Sequence, residues 1–187
     1  MCLGPVGRYL ILLMMIVGLI LTGCQLPKPP QGTIVQVRRV ISGQTIEVLG
    51  LGEQATVAQT VRLIGLDAPD LAQDPWGQAA KAHLETLVNQ QPVLVELDVQ
   101  PRDTHQRWLA YLWQGNQLLN EAMVKAGYGL AVSRAPNLRY RDRLNNAQSY
   151  ARVMGYGIWD PRNPLRQTPA EFRRQAAQPV RRNSPSP

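Results

Sequence analysis

The strongest constraint lies between Thr33 and Asp160, where five short strand-like runs are interrupted by one helical run after the third. "TIVQVRRV" (Thr33–Val40) and "TIEVL" (Thr45–Leu49) alternate in character and flank "ISGQ", where Gly43 marks a hairpin. A glycine-containing connection, "GLGEQAT", leads to "VRLIGLDAPD" (Val61–Asp70), which begins as a third strand. "PVLVELDV" (Pro92–Val99) and "WLAYLW" (Trp108–Trp113) are rich in branched and aromatic residues and read as two more. The inserted run, Gly77 to Asn89, places Ala80, Leu84, Leu87 and Val88 on one helical face. Two later helices are predicted, Asn120–Ala126 with Asn120 as its cap and a stop at Gly127, and Arg139–Met154 ending in Gly155. This order of elements predicts a small barrel with helices around it.

The flanks differ in kind. Residues 1–23 combine an early Arg8 with the uncharged apolar run "YLILLMMIVGLIL", the pattern of a signal peptide and too short for a comfortable membrane span. The run ends in "LTGC", which resembles the lipobox of bacterial lipoproteins and implies cleavage before Cys24 and lipidation of that cysteine. A plain secretory signal and an uncleaved anchor helix are the alternatives. With Cys2 removed and Cys24 acylated, no thiol remains for a disulfide framework or a cysteine metal site. Residues 24–32 form a Pro-rich tether.

The net charge of +7 is unevenly spread: Arg8 carries +1, the segment from Arg162 to Pro187 carries +5, and +1 is left for residues 24–161. Residues 162–187, rich in Pro, Ser, Gln and Arg, are expected to be a disordered basic tail. Such a tail can touch nucleic acid or anionic lipid, or be solvated.

"VRLIGLDAPD" carries an arginine on a strand that runs into two acids around a proline. It resembles the Arg-strand-Asp-x-Pro-acid motif of the staphylococcal nuclease (thermonuclease) family. Four further segments resemble that family in order: "ISGQTIEV" its acidic hairpin, "DTHQRWLAYLW" its second-arginine strand, "LLNEAMVKAGYG" its Asn-Glu helix, and "GIWD" its closing segment. The resemblance covers residues 33–161 and implies an α+β, mainly β, fold: an OB-fold five-stranded barrel with about three helices.

The family's activity is calcium-assisted hydrolysis of phosphodiester bonds. By resemblance, Arg62 and Arg107 would clamp the phosphate, because planar guanidinium forks match its oxygens and keep their charge. Asp67, the Ala68 carbonyl and Gln44 would hold Ca2+, and Asp70 would activate water. The departures fall on this chemistry. Gln44 stands where the family has a calcium-ligating Asp, which removes a charge, and Ser42 replaces another hairpin acid. Glu47 should face the opposite side from Gln44. Asp70 is one methylene shorter than the family's Glu, His105 replaces a stacking tyrosine, and "GLAVSRAPN" lacks the late-loop tyrosines.

The resulting expectation is a lipid-anchored nuclease of the cell envelope, facing away from the cytoplasm and acting on DNA or RNA, preferably single-stranded. No feature calls for an obligate protein partner. The alternatives are a non-catalytic OB-fold lipoprotein that binds nucleic acid or another anionic polymer, and an envelope structural domain. Arg62 and Asp67 could simply pair at a strand end. Arg139, Arg141 and Arg143 read best as a solvated helix face.

Overall fold

The computed structural model describes residues 29–52 and 56–178. The signal segment and Cys24 lie outside the described residues.

The strands are β1 (Thr33–Ser42), β2 (Thr45–Leu49), β3 (Gln59–Leu63), β4 (Leu66–Asp67), β5 (Val93–Arg102), β6 (Trp108–Gln114), β7 (Gln117–Leu118) and β8 (Leu130–Ala131). The helices are α1 (Trp76–Val88), α2 (Leu119–Lys125), α3 (Arg141–Met154) and α4 (Pro169–Ala176), with a short 3₁₀ turn at Gly157–Trp159. Sheet order is β3-β2-β1-β5-β6-β7, and a parallel pairing of β3 with β6 closes the first five strands into a barrel. The five-stranded OB-type barrel expected from the sequence is present, and each expected strand lies within it.

Alternation fills the barrel. Val35, Ile46, Val48, Val61, Leu63, Val95, Ala110 and Leu112 are buried inside it. The other face of β6 is buried too, because α2 packs there with α3 against α2, and the two contribute Leu119, Met123, Leu144 and Ala147 to the core. That double burial is why "WLAYLW" reads as a near-continuous apolar run.

Asn120 has a different role from the expected helix cap. The cap position is Leu118, and Asn120 is fully buried, with 0% exposure. Its Nδ2 donates to the Ile64 carbonyl at 2.8 Å and its Oδ1 accepts from the Leu112 N–H at 2.9 Å. It therefore fastens α2 to both strands of the closing seam.

The arginines expected along one helix face also separate. Arg139 precedes α3 and donates to Glu96 at 2.6 Å, in a cluster where Glu96 also accepts from Trp113 Nε1 at 2.7 Å and the Tyr140 hydroxyl at 2.9 Å. Glu96 is 4% exposed, so its charge is held by three donors rather than by water. Arg143 binds Glu121 of α2 at 2.6 Å, while Arg141 stays at the surface beside Asp142.

The segment from Arg162 is not a loose tail throughout. Thr168 and Glu171 form a reciprocal capping box, Pro169 opens α4 and is buried, and Gln73 Nε2 donates to the Gln167 carbonyl at 2.9 Å. Average composition obscured this local signal: "TPAE" is itself a helix start.

Candidate active site

One cavity of about 650 Å³ opens where the β1–β2 hairpin, β3, the β5–β6 turn and the loop after β8 meet, and Gln44, Arg62, Asp70, Arg107, Arg134 and Arg173 all line it. Its position follows from the barrel closure. Across the parallel seam Arg62 stands opposite Leu109, two residues beyond Arg107. Strand alternation therefore carries both arginines to the same side of the sheet.

Arg62 is the more enclosed of the two, with a side chain 14% exposed against 32% for Arg107. Burial lowers its pKa from the ordinary value, Asp67 opposes the shift, and Arg107, Arg134 and Arg173 reinforce it by repulsion. An arginine starts so high that it stays charged here. Four guanidinium groups thus border the cavity, offset in part by Asp67, Asp70 and Asp103.

Arg107 is aimed by Asp103. The Arg107 Nε donates to Asp103 Oδ2 at 2.8 Å and its backbone N–H to Oδ1 at 3.0 Å, while the His105 N–H adds a bond at 2.9 Å. Burial disfavours the charged carboxylate, yet these bonds from Arg107 and His105 prevail and hold Asp103 below its usual range. Arg134 comes from the late loop, which Asn137 pins to β5 by bonds to both backbone groups of Gln100, at 2.8 and 2.9 Å.

Asp70 sits on the turn between β4 and α1. Its backbone N–H donates to Gln73 Oε1 at 2.9 Å and its Oδ1 accepts from the Ala72 N–H at 3.1 Å. Oδ2 has no partner among the described residues, which leaves one carboxylate oxygen for a ligand. Gly77 allows this turn to close: any Cβ there would overlap the Asp70 carbonyl. Gly43 does the same for the hairpin, where a Cβ would meet Ala80 at 2.6 Å and Ala68 at 3.0 Å.

The residues expected to hold calcium do not fit that ion as they are arranged. Gln44 Oε1 accepts from the Ala68 N–H at 2.9 Å and so ties the hairpin to β4. Asp67 is 2% exposed, and both its oxygens accept from Arg173 Nη2, at 2.8 and 2.7 Å. Ala68 is fully buried. Calcium asks for about six to eight oxygen ligands, whereas this set offers one carboxylate already matched by a guanidinium. Among the described residues, no three His, Cys, Asp or Glu side chains cluster as metal ligands do. Glu47 cannot fill in, because it binds Arg38 and Arg39 of β1, both at 2.9 Å.

The cavity thus gathers Arg62, Arg107, Asp70 and Gln44 from the sequence-derived set, with Asp67 and Ala68 buried beneath. The Arg62–Asp67 pair that the sequence left as an alternative is present but long, at 3.4 Å. Arg173 makes the shorter bonds. Arg134 and Arg173 were not anticipated; neither lies in a segment whose pattern points toward the barrel mouth. His105 and Thr104 complete the rim.

The "Staphylococcal nuclease homologue" family profile matches residues 60–161, which contain most of this cavity. The chain is 35% identical over 129 residues to the thermonuclease of Staphylococcus hyicus, spanning 66% of this chain and 74% of that protein. It is 33% identical over 135 residues to the thermonuclease of Staphylococcus intermedius, spanning 70% of this chain and 78% of that protein. With the barrel, the paired arginines and the acid turn all in place, the chain belongs to the staphylococcal nuclease family.

Proposed function

We propose that this protein hydrolyses phosphodiester bonds of DNA or RNA, preferably single-stranded, outside the cytoplasm, and is held at the membrane through lipid on Cys24. The observation that carries the hydrolytic reading is the convergence of four arginines with Asp70, whose Oδ2 has no partner among the described residues, on a single cavity. Guanidinium forks recognise phosphate, and a half-buried setting strengthens them because water screens them less.

In this reading a water molecule gives a proton to Asp70 Oδ2 as its oxygen attacks phosphorus. The new P–O bond forms as the bond to the departing nucleotide oxygen breaks. That oxygen leaves with the bonding pair and takes a proton from solvent. Arg62 and Arg107 hold the non-bridging oxygens, where charge builds up. The donor set around Asp67 does not suit calcium, and these steps use the chain's own residues.

The purified full chain should cleave a single-stranded oligodeoxynucleotide, and Asp70→Asn should slow that cleavage by ~10² to 10⁴. Unchanged turnover in Asp70→Asn removes Asp70 from the base role. The second reading, binding without turnover, is favoured by the shortened acid at Asp70. It prevails if the oligonucleotide binds tightly and stays whole. For the anchor, labelled palmitate should be incorporated in bacterial cells and lost in Cys24→Ser; equal labelling of both would end the lipoprotein assignment.

A further inference from the structure

We propose that Arg173 is a resident cation of the active site: it occupies the place beside Asp67 where a divalent ion would bind, and it holds the scissile phosphate alongside Arg62 and Arg107. This rests on the nuclease reading above and adds a residue and a metal-independence to it.

The geometry supplies the argument. A cation in such a cleft has two tasks: to neutralise the buried carboxylate and to draw a phosphate oxygen. Arg173 performs the first, since its Nη2 bridges both oxygens of Asp67 at 2.8 and 2.7 Å. Arg62 reaches the same carboxylate only at 3.4 Å, so Arg173 is the principal counter-ion. A carboxylate this buried is costly to keep charged without a close partner.

The second task follows from what is left over. Among the described residues, Arg173 Nη1 and Nε have no protein partner, and the side chain is 37% exposed and lines the cavity with Arg62 and Arg107. One nitrogen of the fork is anchored, and the others are left without a protein partner on a side chain that lines the cavity. Asp67 then becomes a positioning residue for Arg173. The placement is built in, because the capping box fixes the start of α4, Pro169 is buried, and the Gln73–Gln167 bond ties that start to the turn between β4 and α1. An arginine also differs from a bound ion in that no chelator can remove it.

The test uses the full chain, its Arg173→Gln and Arg173→Lys variants, and the double variant Asp67→Asn with Arg173→Gln, which removes both charges of the ion pair together. Cleavage of a single-stranded oligodeoxynucleotide is measured in excess EGTA and in millimolar calcium. Binding of the same sequence as an uncleavable phosphorothioate is followed by fluorescence anisotropy in EGTA. The expected result is wild-type cleavage equal in both media. Arg173→Gln and the double variant should each lose ~10²-fold or more in kcat and about 10-fold in phosphorothioate affinity, with partial recovery in Arg173→Lys and none from calcium. Wild-type cleavage abolished by EGTA overturns the proposal. So does higher activity in Arg173→Gln, which would make α4 a plug. If nothing is cleaved in any medium, the hydrolytic reading fails, and the anisotropy still decides on Arg173: unchanged affinity in Arg173→Gln refutes its contact with phosphate.

Discussion

Arg62→Ala should lower kcat for oligonucleotide cleavage by about 10³-fold or more, with the thermal unfolding midpoint nearly unmoved. The size of the loss follows from where the guanidinium sits. Its side chain is 14% exposed at the floor of the cavity, so its interaction with a developing phosphate charge is poorly screened. Arginines so placed in phosphoryl transfer are worth ~10³ to 10⁵. The small effect on stability has its own reason: Asp67 keeps its shorter bonds to Arg173 when Arg62 is gone. Removing Arg62 also relieves repulsion among the four arginines around the cavity. Arg62→Lys retains a charge but loses the planar fork, and its rate should lie between the two. A reduction of less than ten-fold in Arg62→Ala would show that the phosphate is held elsewhere.

The largest effect on stability is expected at Asn120. Asn120→Ala removes an acceptor for the Leu112 N–H and a donor to the Ile64 carbonyl, both buried. Each orphaned group costs ~1–3 kcal/mol, so a loss of roughly 3 kcal/mol is expected from a domain of ~5–15 kcal/mol. On the usual scaling this lowers the midpoint by about 10 °C, readable by circular dichroism. The site should suffer as well, since Asn120 fastens β6 and the end of β3, and that seam sets Arg62 against Leu109. A midpoint within about 2 °C of the native chain would mean that water takes over both bonds.

The barrel was largely legible because its strands announce themselves locally. Alternation, the Gly43 hairpin and the branched runs each specify an element within about ten residues, and five in sequence leave few closed arrangements. The family motifs then pointed to Arg62, Arg107 and Asp70, which the structure places around one cavity. What failed was the role of groups whose partners are distant. Asn120 looked like a helix cap because it is an Asn at a helix start, yet its partners lie 8 and 56 residues away. Arg139 looked like part of a helix face, yet it answers a charge at Glu96 on β5.

The sequence by itself determined the five barrel strands, the three helices between Trp76 and Met154, and that Arg62 and Arg107 could bear charge to a phosphate. Those properties depend on the backbone period and on side-chain chemistry, and both are written residue by residue. Only the tertiary structure decided that the close partner of Asp67 is Arg173. Arg173 is 106 residues away along the chain, in a helix whose composition suggested no order. A local pattern carries no information about what another segment brings when it docks. The free energy of a buried carboxylate depends on that partner.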